Sequence, residues 1–326
     1  MIKEKHILYK EDEYFYPNAA GFIPNVMGYI HDEDAEQRPC VIIVPGGAYC
    51  VVSPTEGEIV AMEFYDKGYN AFVCTYTTNY FRDCPLKLQP LNDLSRAVRF
   101  IRKNAADFHI DEEKIVVCGF SAGGHLTASL SVHHQDIKDG RKEFATISNK
   151  PDAVILSYPV ITSGKYSHKD SFIALFGQEP TEAELEYMSL ESHVTKDTPP
   201  CFIWQTLNDT TVPVENSYLF AQSCKENHVK FAHHVFSTGD HGLSVANEAW
   251  AKGNYGDFYP IEQLVKLAES MHDTGKSIPK ELSSLTTISK EKVIELNKNN
   301  LPNKEVSAWP GLADVWLQIV LSEQNS

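Results

Sequence analysis

Short apolar runs rich in β-branched residues recur along the chain at 40–44, 71–76, 114–118, 153–158, 201–206 and 231–236, each bounded by turn residues. Runs of this length without polar alternation suit strands buried on both faces, as in a parallel sheet. Between them lie stretches of helical period. Residues 88–106 place Leu91, Leu94, Ala97, Val98 and Ile101 on one stripe at i, i+3 and i+4 spacing. Residues 214–227 and 309–321 read as helices too, the second with Leu312, Val315, Trp316 and Ile319 on one side. Strand alternating with helix implies βαβ units. Right-handed crossovers then give an open, mostly parallel sheet with helices on both faces, an α/β architecture. Residues 7–9 and 20–30 are expected to add leading antiparallel strands. No repeat or low-complexity linker divides the chain, so one domain is expected over residues 1–326.

One stretch breaks the rhythm. Residues 251–307 carry no strong strand signal but hold two amphipathic pieces, at 261–272 and 289–297. Eight lysines balance eight acids there, so the rest of the chain carries the whole net charge of −15. A helical insertion of this size, placed before the last helix, is either a lid over a site or a surface decoration. The negative surface repels nucleic acid, anionic lipid and polyanions, which leaves a neutral or cationic ligand. Seven cysteines, an odd number without CxxC spacing, argue against a disulfide framework and a zinc site. The charged opening MIKEKHILYKEDEY lacks a signal-peptide core, and no apolar run reaches membrane-spanning length. A reduced, cytoplasmic protein that is not in a membrane is expected; composition says nothing of its oligomeric state.

The strongest local signal is Gly119-Phe120-Ser121-Ala122-Gly123, a G-x-S-x-G that follows the strand-like KIVVC and opens a helix-like run. A nucleophile on a tight strand-to-helix turn needs small residues on either side so that the chain can pass close by. The turn presents the Ser121 hydroxyl at the carboxyl edge of the sheet. It also aims the Ala122 N–H and the helix N-terminus at the same point, where an oxyanion can be held. A second glycine-rich turn, Pro45-Gly46-Gly47-Ala48-Tyr49, follows the strand CVIIV. Gly47, or its neighbour Ala48, is the candidate for the second oxyanion donor; the alternative is a plain tight turn.

Thirteen histidines compete for the role of base. His125 lies one helical turn after Ser121 and reads as packed; His133 and His134 end that helix, and His233 and His234 sit inside a strand. His241, in Thr238-Gly239-Asp240-His241-Gly242, lies in a loop directly after the strand FAHHVF, at the same sheet edge as Ser121. The orienting carboxylate is expected after the preceding strand, where Asp209 is nearest the strand end; Asp240 and Glu215 are weaker candidates. The order Ser121, Asp209, His241 is that of an α/β-hydrolase.

The set VPGGAY, GFSAGGHL, LNDTTVPVENS and GDHGLS, with PLKLQPLNDLSRAVRFIRKNAADF and the closing AWPGLADVWL, resembles the acetyl esterase family of α/β-hydrolases, the feruloyl and acetyl xylan esterase-like enzymes. Two departures stand out: the usual His-Gly-Gly-Gly stretch lacks its histidine and has Ala48 for one glycine, and the 251–307 insertion is longer than typical. The resemblance implies hydrolysis of a carboxylic ester through an acyl-enzyme, with O-acetylated sugars or xylo-oligosaccharides as substrates. It implies no cofactor and no metal, since the serine is activated by its own base. Tyr49, Tyr80, Phe81, Tyr166 and Trp204 are candidate platforms for sugar rings, and His168 and Ser171 candidates for the pocket border. A general short-chain carboxylesterase, a peptidase, an arylformamidase, or an inactive hydrolase fold used for binding are the competing readings.

Overall fold

The computed structural model describes residues 1–32, 36–287, 289–297 and 300–323. Eight strands form one sheet: β1 (Ile2–Ile7), β2 (Asn25–Ile30), β3 (Arg38–Val44), β4 (Asn70–Thr75), β5 (Ile110–Phe120), β6 (Ala153–Ser157), β7 (Cys201–Thr206) and β8 (Phe231–Phe236). Their spatial order is β1-β2-β4-β3-β5-β6-β7-β8. The first two pair antiparallel, and every pairing from β4 to β8 is parallel. The six apolar runs are these six parallel strands, and β4, β6 and β7 are buried throughout.

Eleven α-helices are described: α1 (Glu58–Tyr65), α2 (Gln89–Lys103), α3 (Ala122–His133), α4 (Lys169–Phe176), α5 (Glu182–Tyr187), α6 (Glu215–Glu226), α7 (Glu248–Ala251), α8 (Glu262–Asp273), α9 (Lys280–Thr286), α10 (Lys290–Asn297) and α11 (Trp309–Glu323). Two cores result, one on each face of the sheet. The first packs Leu91, Leu94, Ala97, Val98 and Ile101 of α2 with Leu126 of α3 and Phe220 of α6; the second packs Val60 and Phe64 of α1 with Trp309 and Leu317 of α11. Burying each such large apolar side chain contributes about 1.5–3 kcal/mol before the ordering cost is counted.

Three expectations need correction. The first strand lies at Ile2–Ile7 rather than 7–9, and the second at Asn25–Ile30 rather than 20–30. β1 is an exposed edge whose lysines and Glu4 hide its period, while Pro17, Gly21 and Pro24 keep the preceding stretch irregular. On α11 the stripe Leu312, Val315 and Ile319 faces solvent, and Trp316 is half-buried against Phe202. The buried face is instead Trp309, Ala313, Leu317, Val320 and Leu321. That helix is apolar nearly all round, so periodicity offered two faces and packing chose the other. The 251–307 stretch contains α8, α9 and α10, with no strand among its described residues.

Chain order reverses where β3 and β5 lie side by side, with β4 outside β3. In open parallel sheets such a switch point leaves a crevice beyond the carboxyl ends of the strands. The turns after β3 and β5 are the two glycine-rich motifs.

Candidate active site

Ser121 sits between β5 and α3 with φ 51° and ψ −117°, a left-handed conformation that a non-glycine residue adopts at a cost of about 1–3 kcal/mol. Its neighbours explain how the strain is held. A Cβ on Gly119 would lie 2.2 Å from the Gly123 carbonyl oxygen and the Thr127 Oγ1, and one on Gly123 would lie 2.1 Å from the Val44 oxygen. Both glycines are therefore required by close chain passage, and β3, β5 and α3 interlock around the serine.

His241 Nε2 lies 2.7 Å from Ser121 Oγ, and His241 Nδ1 lies 2.7 Å from Asp209 Oδ2. The other Asp209 oxygen accepts the Thr211 and Val212 N–H groups, each at 2.9 Å. With that carboxylate as acceptor, Nδ1 carries the proton and Nε2 is free to accept from the serine hydroxyl. Asp240 is exposed and Glu215 lies in the first turn of α6, and neither makes this contact. The loop bearing His241 is tethered on both sides: Gly239 N–H donates to Asn208 Oδ1 at 2.8 Å, and Trp309 Nε1–H donates to the Ser244 carbonyl at 2.8 Å.

Gly47 and Ala48 line the cavity in front of Ser121. Within their turn, the Cys50 and Val51 N–H groups bond to the Gly47 carbonyl and the Ser53 N–H to that of Gly46. The Gly47 and Ala48 N–H groups have no protein acceptor among the described residues. Ala122, buried behind Ser121, opens α3, and an N–H at that position has no intrahelical partner. The φ of 120° at Gly47, whose Cβ would fall 2.2 Å from the Val51 oxygen, shows why glycine is needed there.

The cavity measures about 590 Å³ and is walled by Val51, Pro54, Tyr255, Phe258, Ile261 and Val293 alongside Ser121, His168 and His241. Four of those residues come from 251–307, so this segment contributes a wall. His168 lies on the border as expected, and burial pushes its imidazole below the usual value. Ser171 does not reach the cavity; it is buried behind His168, with its Oγ 2.9 Å from His168 Nδ1.

Tyr49 is also displaced from its expected place. Positive φ at Gly47, Ala48 and Tyr49 turns the chain inward, and the phenol is buried with its O–H donating to His125 Nδ1 at 2.8 Å. Trp204 is fully buried and stacked on Trp309, with centroids 5.4 Å apart. Tyr80, Phe81 and Tyr166 lie outside the cavity wall. One residue was missed by reading the sequence: Glu56, a buried carboxylate on the cavity floor that accepts the Gly46 N–H at 2.7 Å. Nothing in Ser-Pro-Thr-Glu-Gly-Glu marks it, because its partners lie 10 and 102 residues away.

Comparison with known proteins gives the chain's family and fold relatives. The BD-FAE family model matches residues 28–224. An endo-1,4-beta-xylanase B of Butyrivibrio fibrisolvens is 53% identical over 259 residues, covering 79% of this chain and 41% of the relative. An acetylxylan esterase of Xylanibacter ruminicola is 27% identical over 208 residues, covering 62% of this chain and 40% of the relative. The chain thus spans about two fifths of the length of either. Among solved structures, an acetyl ester-xyloside bifunctional hydrolase from Caldicellulosiruptor lactoaceticus aligns with a TM-score of 0.69 at 32% identity, over 83% of this chain and 96% of that one. A mostly parallel sheet with a serine elbow at its switch point, and a family match over 28–224, together place this chain in the BD-FAE family of α/β-hydrolases.

Proposed function

We propose that the chain is a serine carboxylic-ester hydrolase that removes acetyl groups from O-acetylated sugars or xylo-oligosaccharides. The observation that carries this reading is the hydrogen-bonded line Asp209–His241–Ser121, with both links at 2.7 Å, opening onto a cavity. His241 Nε2 takes the Ser121 proton as Oγ attacks the ester carbonyl, and Asp209 holds the tautomer and stabilises the imidazolium. The N–H groups of Ala122 and of Gly47 or Ala48 receive the oxyanion; losing one such donor costs about 3 kcal/mol in the barrier. Imidazolium then protonates the departing alcohol, and a water activated by the same histidine releases the acid. Every step uses groups of the chain itself, and no metal or organic cofactor is assigned.

The sugar reading draws on relatives whose names include acetylxylan esterase and acetyl ester-xyloside hydrolase. A second reading, a general short-chain carboxylesterase, is favoured by the apolar wall of Val51, Phe258, Ile261 and Val293, which offers few partners for sugar hydroxyls. Seven free thiols, six of them buried, suit a reducing, cytoplasmic setting in which imported oligosaccharides rather than polymeric xylan are met.

Two measurements test the proposal. Ser121→Ala should abolish both p-nitrophenyl acetate turnover and labelling by a fluorophosphonate probe while the circular dichroism spectrum is kept; retained turnover would remove the serine mechanism. A panel of acetylated xylo-oligosaccharides against p-nitrophenyl esters of rising length then separates the two readings. Higher kcat/KM on the acetylated sugars supports deacetylation, and higher values on the simple esters support the carboxylesterase.

A further inference from the structure

Glu56 is almost fully buried at the end of a 3-10 turn, yet its carboxylate is fully partnered. Gly46 N–H donates to Oε2 at 2.7 Å, and Tyr158 O–H donates to Oε1 at 2.7 Å. The Tyr158 oxygen in turn accepts the Ser244 N–H at 3.1 Å, and its ring meets the His241 ring edge to face with centroids 4.9 Å apart. Gly46 is itself wedged against the serine turn: a Cβ there would lie 2.7 Å from the Phe120 oxygen and 2.8 Å from Ser121 Cβ. One carboxylate therefore joins three segments, the glycine-rich turn after β3, the residue following β6, and the loop carrying His241.

The hydrogen bonds suit an ionised carboxylate. The phenolic oxygen already takes a proton from Ser244, so its own hydrogen points to Glu56. A protonated Glu56 donating to that oxygen would leave the phenolic hydrogen with no acceptor. Burial raises the pKa of Glu56, and the Tyr158 and Gly46 bonds and the His241 charge offset that rise only in part. Coulombic attraction is mutual, so a Glu56 anion also favours positive charge on the His241 ring.

We infer that Glu56 is a positioning residue of this reaction centre: an ionised, buried carboxylate that sets the oxyanion turn and the His241 loop in register and stabilises the imidazolium formed during acyl transfer. The inference rests on the esterase reading for its rate effects, but not for its effect on His241. The titratable groups facing His241 are Asp209 from the loop after β7, Glu56, Tyr158, and His168 ahead of α4.

The test is Glu56→Gln in the full chain, which keeps an acceptor for Gly46 and the side-chain shape but removes the charge. Losing this carboxylate's support of the turn and of the imidazolium should lower kcat by roughly tenfold. KM for p-nitrophenyl acetate should stay near the wild-type value, so the loss falls on kcat alone. The His241 Nδ1–H proton resonance should shift in this variant, because the Tyr158 link to its loop is altered, even if no ester proves to be a substrate. That separates failure of this inference from failure of the esterase reading. An unchanged kcat and an unmoved His241 Nδ1–H resonance, with only thermal stability lowered, would reduce Glu56 to a structural residue. Should Glu56→Gln not fold, Tyr158→Phe cuts the link to the His241 loop without changing the ring. It should lower kcat several-fold at constant KM, and wild-type kcat in that variant overturns the inference.

Discussion

Asp209 divides its two oxygens between different tasks, one oxygen for the His241 imidazole and the other for the Thr211 and Val212 amides. Asparagine at this position keeps an acceptor for the two amides but turns an N–H toward Nδ1. The imidazole then adopts the tautomer in which Nε2 carries the proton and cannot accept one from Ser121. Asp209→Asn should therefore lower kcat by on the order of 10⁴-fold with little change in KM, and Asp240→Asn should be nearly silent. Steady-state kinetics of the two variants decide it: a mild Asp209 effect would hand the role to Asp240 or Glu215. The other histidines separate on the same physical grounds. His125 Nε2–H donates to the Met188 carbonyl and Nδ1 accepts from Tyr49, so both nitrogens are spent inside the core.

At the scale of elements, segment 251–307 is anchored to the body at its N-terminal half. Gln263 accepts the N–H and O–H of Thr78 and donates to the carbonyls of Thr78 and Asn18. Lys3 pairs with Glu58 and Asp257, Lys5 pairs with Glu262, and the hydroxyls of Tyr29 and Tyr259 meet at 3.1 Å. Exposed ion pairs like these add little each, so the buried Gln263 bonds matter most. We propose that this half is a fixed wall and that α10, which brings Val293 to the cavity, is the part that acts as a lid. Phe258→Ala and Val293→Ala should then lower kcat/KM for p-nitrophenyl butyrate by on the order of tenfold more than for acetate. Equal losses on both esters would leave the segment a structural role alone. Its two helical pieces are legible from spacing, whereas α9, a short helix over Lys280–Thr286, has no matching periodic signal. The contacts that make the segment a wall involve residues about 185 to 255 positions away, which no local pattern encodes.

Over the whole molecule, burial favours the neutral form of two histidines, His125 in the core and the half-buried His233 on β8. His125 and His233 are both lowered from 6.5 to about 4. Between those values the unfolded chain binds more protons than the folded one, so the stability these groups contribute is present above pH 6.5 and drains away as pH falls toward 4. For the fully buried His125 the loss approaches about 3 kcal/mol. Thermal midpoints measured from pH 7.5 to 4.5 should fall, and the fall should be shallower in His125→Asn. An identical slope in that variant would place the acid sensitivity elsewhere. The net charge of −15 works in the opposite direction, since acid relieves its repulsion.

By itself the sequence determined the parallel strands, the serine turn and the Ser121, Asp209, His241 order. Each of these is written in local terms: apolar runs, small residues around a tight turn, and loops that follow strands. Only the tertiary structure decided which residues meet. It turned Tyr49 and Trp204 inward, set Ser171 behind His168, chose between two apolar faces of α11, and brought Glu56 onto the Gly46 amide of the glycine-rich turn. The physical reason is that a side chain's direction depends on backbone angles such as the positive φ of 60° at Tyr49, and its partners depend on chain crossings far away in sequence. Local composition cannot carry either.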